Sequence, residues 1–180
     1  MRWLDAMVGG RSVGTPGVLA ILELSQKQYG KKPWASLFSD AIKTSESGFK
    51  VSPRLNQLLT SKINPGLGKY PQARDYFFTP EGEPLPVGHQ RTNPELANSL
   101  RQIAEKGATA FYQGELAEKI IDAVKQATDN PGKLQLSDLK NYQAIERQPV
   151  CRPFRDYRVC GFPPPTSGGI TTLQIIKLME

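Results

Sequence analysis

Val150-Cys151-Arg152-Pro153-Phe154-Arg155-Asp156-Tyr157-Arg158-Val159-Cys160-Gly161-Phe162, then Pro163-Pro164-Pro165-Thr166-Ser167-Gly168-Gly169, then an apolar run from Ile170, is the stretch that decides the fold. Two short runs of β-forming residues flank Arg155-Asp156, which predicts a hairpin. Three consecutive prolines forbid helix and hold the chain extended, because each fixes φ and lacks an N–H. Thr166 and Ser167 are suited to cap a following helix. Gly168-Gly169 permits a sharp turn and close backbone approach. The expected order is strand, strand, stiff loop, glycine turn and buried helix.

The hairpin register can be counted outward. If Arg155-Asp156 is a two-residue loop, Phe154 faces Tyr157, Pro153 faces Arg158, Arg152 faces Val159 and Cys151 faces Cys160. The loop-flanking pair is hydrogen-bonded and the pairs then alternate. Pro153 and Cys151 therefore fall at non-hydrogen-bonded sites, where a missing N–H costs nothing and the short Cα separation suits a bridge. This predicts a Cys151–Cys160 disulfide, worth roughly 2–3 kcal/mol for so short a loop. The alternative is a reduced pair packing as small apolar residues.

Upstream, the pattern is mainly helical. Met1 to Gly14 reads as an extended lead-in. Thr15 and Pro16 are expected to start a helix that Gly30 ends. Pro33 opens a second, with Trp34, Leu37, Phe38, Ala41 and Ile42 at helical spacing and Gly48 as its stop. Ser52-Pro53 starts a third, with Leu55, Leu58 and Leu59 inward, broken by Asn64-Pro65-Gly66. Tyr76-Phe77-Phe78 reads as a short strand and Pro80 to Pro84 as a turn. Asn93-Pro94 caps a helix carrying Leu96, Leu100, Ile103 and Ala104. Thr109 to Tyr112 is one turn, Glu115 to Ala127 a further helix, and Ser137 caps a short one. The fold class is α+β, mostly helical, and no internal domain boundary is visible across residues 1–180.

Composition narrows the function. The 180 residues are 38% hydrophobic and 22% charged, with no apolar run near the ~20 residues of a membrane span. The net charge of +6 invites a nucleic-acid reading. The charges are dispersed, however, and no basic run is interleaved with stacking aromatics, so nucleic-acid binding is set aside. The single histidine, His89, has no Cys or His at ligand spacing, so no metal site is expected. Glycines at 9 to 17 do not fit a phosphate-binding spacing.

Four stretches resemble, in order, the γ-glutamyltransferases (glutathione hydrolases), a family of N-terminal-nucleophile hydrolases. Phe162 to Ile170 is similar to the family's Pro-Pro-Pro-Ser-Ser-Gly-Gly segment. Gly9 to Gly17 is similar to Gly-x-Ser-Val-x-x-Pro-Gly. Gly107 to Gly114 is similar to Gly-x-x-x-Phe-Tyr-x-Gly, and Leu136 to Tyr142 to an Asp-Leu-x-x-Tyr pattern. The resemblance implies an αββα fold and part of a large subunit. It also implies partners in the rest of that subunit and in a small subunit cut from the same precursor. The substrate would be glutathione, cleaved through an acyl-enzyme on an N-terminal threonine, with no cofactor or metal, in a periplasmic or secreted setting.

No catalytic residue is carried over. Thr171-Thr172 is rejected as the nucleophile segment: Leu173 replaces the family's histidine, and the pair sits inside an apolar helix. The family's Arg-Glu-Thr-Ala-Pro-like carboxylate-binding motif is not found, and Arg11 does not match it. The loop Thr166, Ser167, Gly168 and Gly169 is kept as a site candidate, because helix-opening N–H groups can bind an anion; its plainer reading is a packed strand-to-helix turn. Ile175, Ile176, Leu178 and Met179 are expected to leave an apolar surface uncovered, as in a segment of something larger. The rival readings are a cephalosporin acylase or poly-γ-glutamate-processing relative, and a non-catalytic helical interaction module.

Overall fold

The computed structural model describes residues 7–61, 63–64 and 66–180. The lead-in residues 1–6 and the breaker Pro65 lie outside the described residues. The chain groups into two compact units, Met1–Gln143 and Ala144–Glu180, where no boundary was legible in sequence. Between Tyr142 and Pro149 the backbone carries no regular structure.

In the first unit, Gly10–Ser12 forms a 3-10 turn rather than extended chain. Helix α1 (Val18–Tyr29) follows, ending at Gly30. A 3-10 turn at Trp34–Phe38 runs into α2 (Ser39–Ser47), which Gly48 stops at φ 81°. Strand β1 (Phe49–Lys50) pairs antiparallel with β2 (Gln90–Arg91). Between them lie α3 (Pro53–Thr60) and α4 (Pro71–Phe77). Then come α5 (Pro94–Lys106), the single turn α6 (Thr109–Tyr112), α7 (Glu115–Lys125) and α8 (Leu136–Lys140).

Local capping chemistry accounts for two of these starts. The side chains of Ser52 and Asn93 accept hydrogen bonds from the amides of Leu55 and Leu96. Each satisfies a donor that the first helical turn leaves unpaired.

Two other starts differ from expectation. α1 begins after Gly17, not Thr15, because its cap comes from far away. The Tyr112 hydroxyl donates to the Pro16 carbonyl at 2.7 Å and accepts from the Ala20 amide at 3.2 Å. α8 is capped from Gln135, whose amide donates to Asp138, rather than from Ser137.

The expected strand at Tyr76-Phe77-Phe78 is a correction. Tyr76 and Phe77 end α4, and Phe78 makes only an isolated bridge to Pro84. Pro71 at the first helical position starts that helix. The Arg91 guanidinium then stacks on the Tyr76 ring at 3.7 Å, a cation–π contact that holds the aromatic at the helix end.

The core of this unit is Ala108, Tyr112, Ala117, Ile121 and Leu139, with Leu19, Ala20, Phe111, Ile120 and Leu134 packed around it. Leu58 and Leu96, expected inward, are exposed, while Leu59, Ala97 and Ile103 take the buried positions. Trp34 packs from the side, its indole N–H donating to the Ile103 carbonyl at 2.9 Å.

The second unit is the hairpin and its helix. β3 (Val150–Phe154) and β4 (Tyr157–Gly161) pair in the expected register, Cys151 opposite Cys160. The turn places Arg155 at φ 52°. Cys151 and Cys160 are joined by a disulfide, their Cα atoms 4.1 Å apart.

After Gly161 the chain does not stay extended. Pro164 and Pro165 form a turn, with the peptide bond between them cis. Helix α9 (Gly168–Leu178) follows. It was read as buried, yet none of its residues is. Ile175 is 53%, Leu178 87% and Met179 74% exposed, as the expected shortage of cover requires.

Candidate functional site

The proline-glycine loop is seated on backbone. A Cβ on Gly169 would come within 2.9 Å of the Gly161 carbonyl carbon and the Phe162 nitrogen, and one on Gly161 within 2.5 Å of the Gly169 Cα. These two glycines are therefore the base on which the loop closes. Thr166, Ser167 and Gly168, which complete the candidate loop with Gly169, are exposed above that base. Ser167 occupies the N-cap position but makes no capping bond through its side chain.

Thr171 and Thr172 lie within α9, and the Thr171 amide donates to the Ser167 carbonyl. A hydroxyl whose own nitrogen is a peptide amide has no free amine to act as its base. His89 lies exposed in a turn, its backbone amide donating to Pro86. Among the described residues no group of three His, Cys, Asp or Glu side chains could hold a metal ion.

The other three motifs converge in the first unit. Tyr112 and Tyr142 stack with ring centroids 5.8 Å apart and planes 10° from parallel. Gly17 lies against Tyr142, where a Cβ would come within 2.8 Å of the phenol carbon Cζ. Leu139 packs in the same core as Tyr112. The Gly9–Gly17, Gly107–Gly114 and Leu136–Tyr142 stretches thus build one hub. Its signal in sequence was a tyrosine in each of two motifs and a glycine in the third. Nothing local says that they meet.

Charges tie the hub to its surroundings. Glu23 on α1 accepts from the Ala108 amide at 2.9 Å and pairs with Lys27 at 2.9 Å. Burial opposes the charge on Glu23, yet these hydrogen bonds outweigh it and hold the carboxyl below its ordinary range. Burial raises the Tyr112 phenol above its usual value. Asp129 is lowered by hydrogen bonds from Lys69 and then Tyr70, tying the 66–70 turn to the 129–132 turn.

The sign for Glu23 follows from linkage. A folded-state value below the unfolded one adds stability above the unfolded value, and this is lost as pH falls through the folded one. Glu23→Gln should therefore lower stability at neutral pH and flatten the acid limb. Urea denaturation at neutral pH and in acid checks this; an unchanged acid limb would remove Glu23 from the account.

Compared with solved proteins, the chain is similar to the gamma-glutamyltranspeptidase of Helicobacter pylori, with a TM-score of 0.91 and 32% identity over 99% of this chain and 50% of that one. It is also similar to the transpeptidase enzyme CapD of Bacillus anthracis, with a TM-score of 0.79 and 33% identity over 92% of this chain and 55% of that one. The α+β architecture is thus part of an N-terminal-nucleophile hydrolase fold. The gamma-glutamyltranspeptidase family profile matches residues 2–180, and the chain belongs to that family. It is 36% identical over 167 residues to the glutathione hydrolase proenzyme of Escherichia coli K12, covering 93% of this chain and 28% of that protein. The chain therefore spans little more than a quarter of that relative's length.

Proposed function

We propose that these residues form a single segment of the large subunit of an enzyme that cleaves the γ-glutamyl amide of glutathione. The acyl group passes through an ester on an N-terminal threonine to water or an amino acid. That threonine heads a small subunit from the same precursor, and the described residues supply scaffold to it rather than reacting groups. The observation that carries this is the family match along almost the whole chain, with three of its motifs meeting in one hub. No cofactor or metal enters the reaction. The Cys151–Cys160 bridge suits an exported, periplasmic or secreted protein.

The exposed apolar residues of α9 do not suit a self-standing interaction module. A CapD-like or cephalosporin-acylase-like enzyme is the second reading, favoured by the likeness to CapD of Bacillus anthracis and to the cephalosporin acylase of Bacillus halodurans, the latter at a TM-score of 0.70 and 29% identity.

The test is a chromogenic γ-glutamyl anilide assay. Protein expressed at the length of the relatives should cut itself into two chains and release the anilide. The 180-residue chain alone should stay at the buffer rate, since nucleophile, oxyanion site and substrate arginine are each needed. Turnover by the 180 residues that vanishes in Ser167→Ala or Thr171→Ala would overturn the reading. Activity of the longer protein on poly-γ-glutamate but not on γ-glutamyl anilide would select the second one.

A further inference from the structure

The first unit holds a cavity of about 430 Å³, in the size range that takes a small organic ligand. Leu58 and Leu59 of α3, with Leu67 and Phe78, give it apolar walls. Its described lining residues all fall between Leu58 and Gly82, so this one stretch shapes the cavity without α9 or the hairpin. None of them lies in the four motif stretches.

Hydrogen bonds around the cavity fix its walls in advance. The Asn56 side chain ties α3 to the Leu85 carbonyl at 2.9 Å. The Thr79 amide donates to Glu83 and the Gly82 amide to Thr79, closing the turn that follows α4. The Tyr70 hydroxyl donates to Asp129 at 3.0 Å and anchors the turn that carries Leu67. A pocket formed beforehand spares a ligand the cost of ordering it.

Among the described residues on the wall, Arg74 alone is charged. Its Nε lies 3.5 Å from Asp75, longer than a strong charge-assisted hydrogen bond, and Asp75 does not line the cavity. Asn64, also on the wall, accepts from the Gly66 amide through its side-chain oxygen, which leaves its NH2 group as a donor. The cavity thus combines apolar surface with a guanidinium that its neighbour only partly neutralises.

We propose that this cavity binds a small carboxylic acid with an aryl or alkyl body. The body lies against the leucines and Phe78, and the carboxylate meets Arg74, whose paired donors match its two oxygens. A cationic ligand would find no carboxylate on the described wall, and a purely apolar one would gain nothing from Arg74.

The test is titration calorimetry on the full-length protein with 4-phenylbutanoate and 4-phenylbutan-1-ol, which share an apolar body and differ in charge. The acid is expected to bind about two- to fivefold more tightly, the range given by partly exposed ion pairs. Arg74→Gln should bring that ratio to about one and leave the alcohol's affinity unchanged. Leu58→Glu, which sets a negative charge on the wall, should weaken the acid more than the alcohol. Both positions are exposed, so neither replacement opens the core. Lys43→Gln, on α2 and away from the cavity, should leave the ratio as it is, while added salt should lower it. Equal binding of the two probes, a ratio untouched by Arg74→Gln, or no binding of either would overturn the proposal. The readout is binding and requires no γ-glutamyl cleavage, so it stands or falls apart from the proposed reaction.

Discussion

Leu139→Ala is expected to destabilise the first unit by about 2–5 kcal/mol, the range for deleting a buried leucine side chain. Leu139 is 0% exposed and shares a core with Ala108, Tyr112, Ala117 and Ile121. Three of these lie on α6 and α7, and the aromatic ring of Tyr112 is further held by its stack on Tyr142 and by two hydrogen bonds. A neighbour fixed at several points cannot collapse into a void, so the cost should fall in the upper half of that range. Leu96→Ala is the control. Leu96 is 46% exposed, and its loss should change stability by no more than about 0.5 kcal/mol. Urea unfolding midpoints of the two variants decide the matter. Equal shifts would mean that the hub does not hold this unit together.

Gly10→Ala is expected to cost about 3 kcal/mol or more, through overpacking. The added Cβ would stand 2.6 Å from the Gly132 nitrogen and closer still to the Val124 carbonyl oxygen. Both are backbone atoms engaged with each other, since the Gly132 amide donates to Val124 O at 2.9 Å. No rotamer change can relieve that clash, so the 3-10 turn must lift away from α7. Gly14 has nothing within 4 Å of its Cβ position. Gly14→Ala should therefore stabilise slightly, by about 0.4–1 kcal/mol, through the entropy of the unfolded chain. Opposite signs from two substitutions four residues apart would establish close approach as the reason for Gly10. A neutral Gly10→Ala would discard it.

How much was legible depends on how far apart the partners lie. The Ser52 and Asn93 caps bond residues three apart, so a short window of sequence contains both donor and acceptor. Leu96 misled because helical spacing identifies a face but not how wide a strip is covered: α5 buries Ala97 and Ile103 and leaves Leu96 out. In the candidate loop, the paired glycines marked close approach, but not that Gly169 would meet Gly161 eight residues earlier.

The hairpin register, which sets Cys151 opposite Cys160, was determined by the sequence alone, because a two-residue turn and the two-residue period of a strand leave no freedom in the count. The family was legible in the same way, from motifs whose order survives without any coordinates. The start of α1, the helical state of Tyr76 and Phe77, and the meeting of Gly17 with Tyr142 were decided only in the tertiary structure. The Ala20 amide and the Tyr112 hydroxyl are 92 residues apart, while Arg91 reaches Tyr76 on α4 from strand β2. Such contacts outweigh local propensity because each satisfies a polar group or covers a ring that no neighbour in sequence could reach.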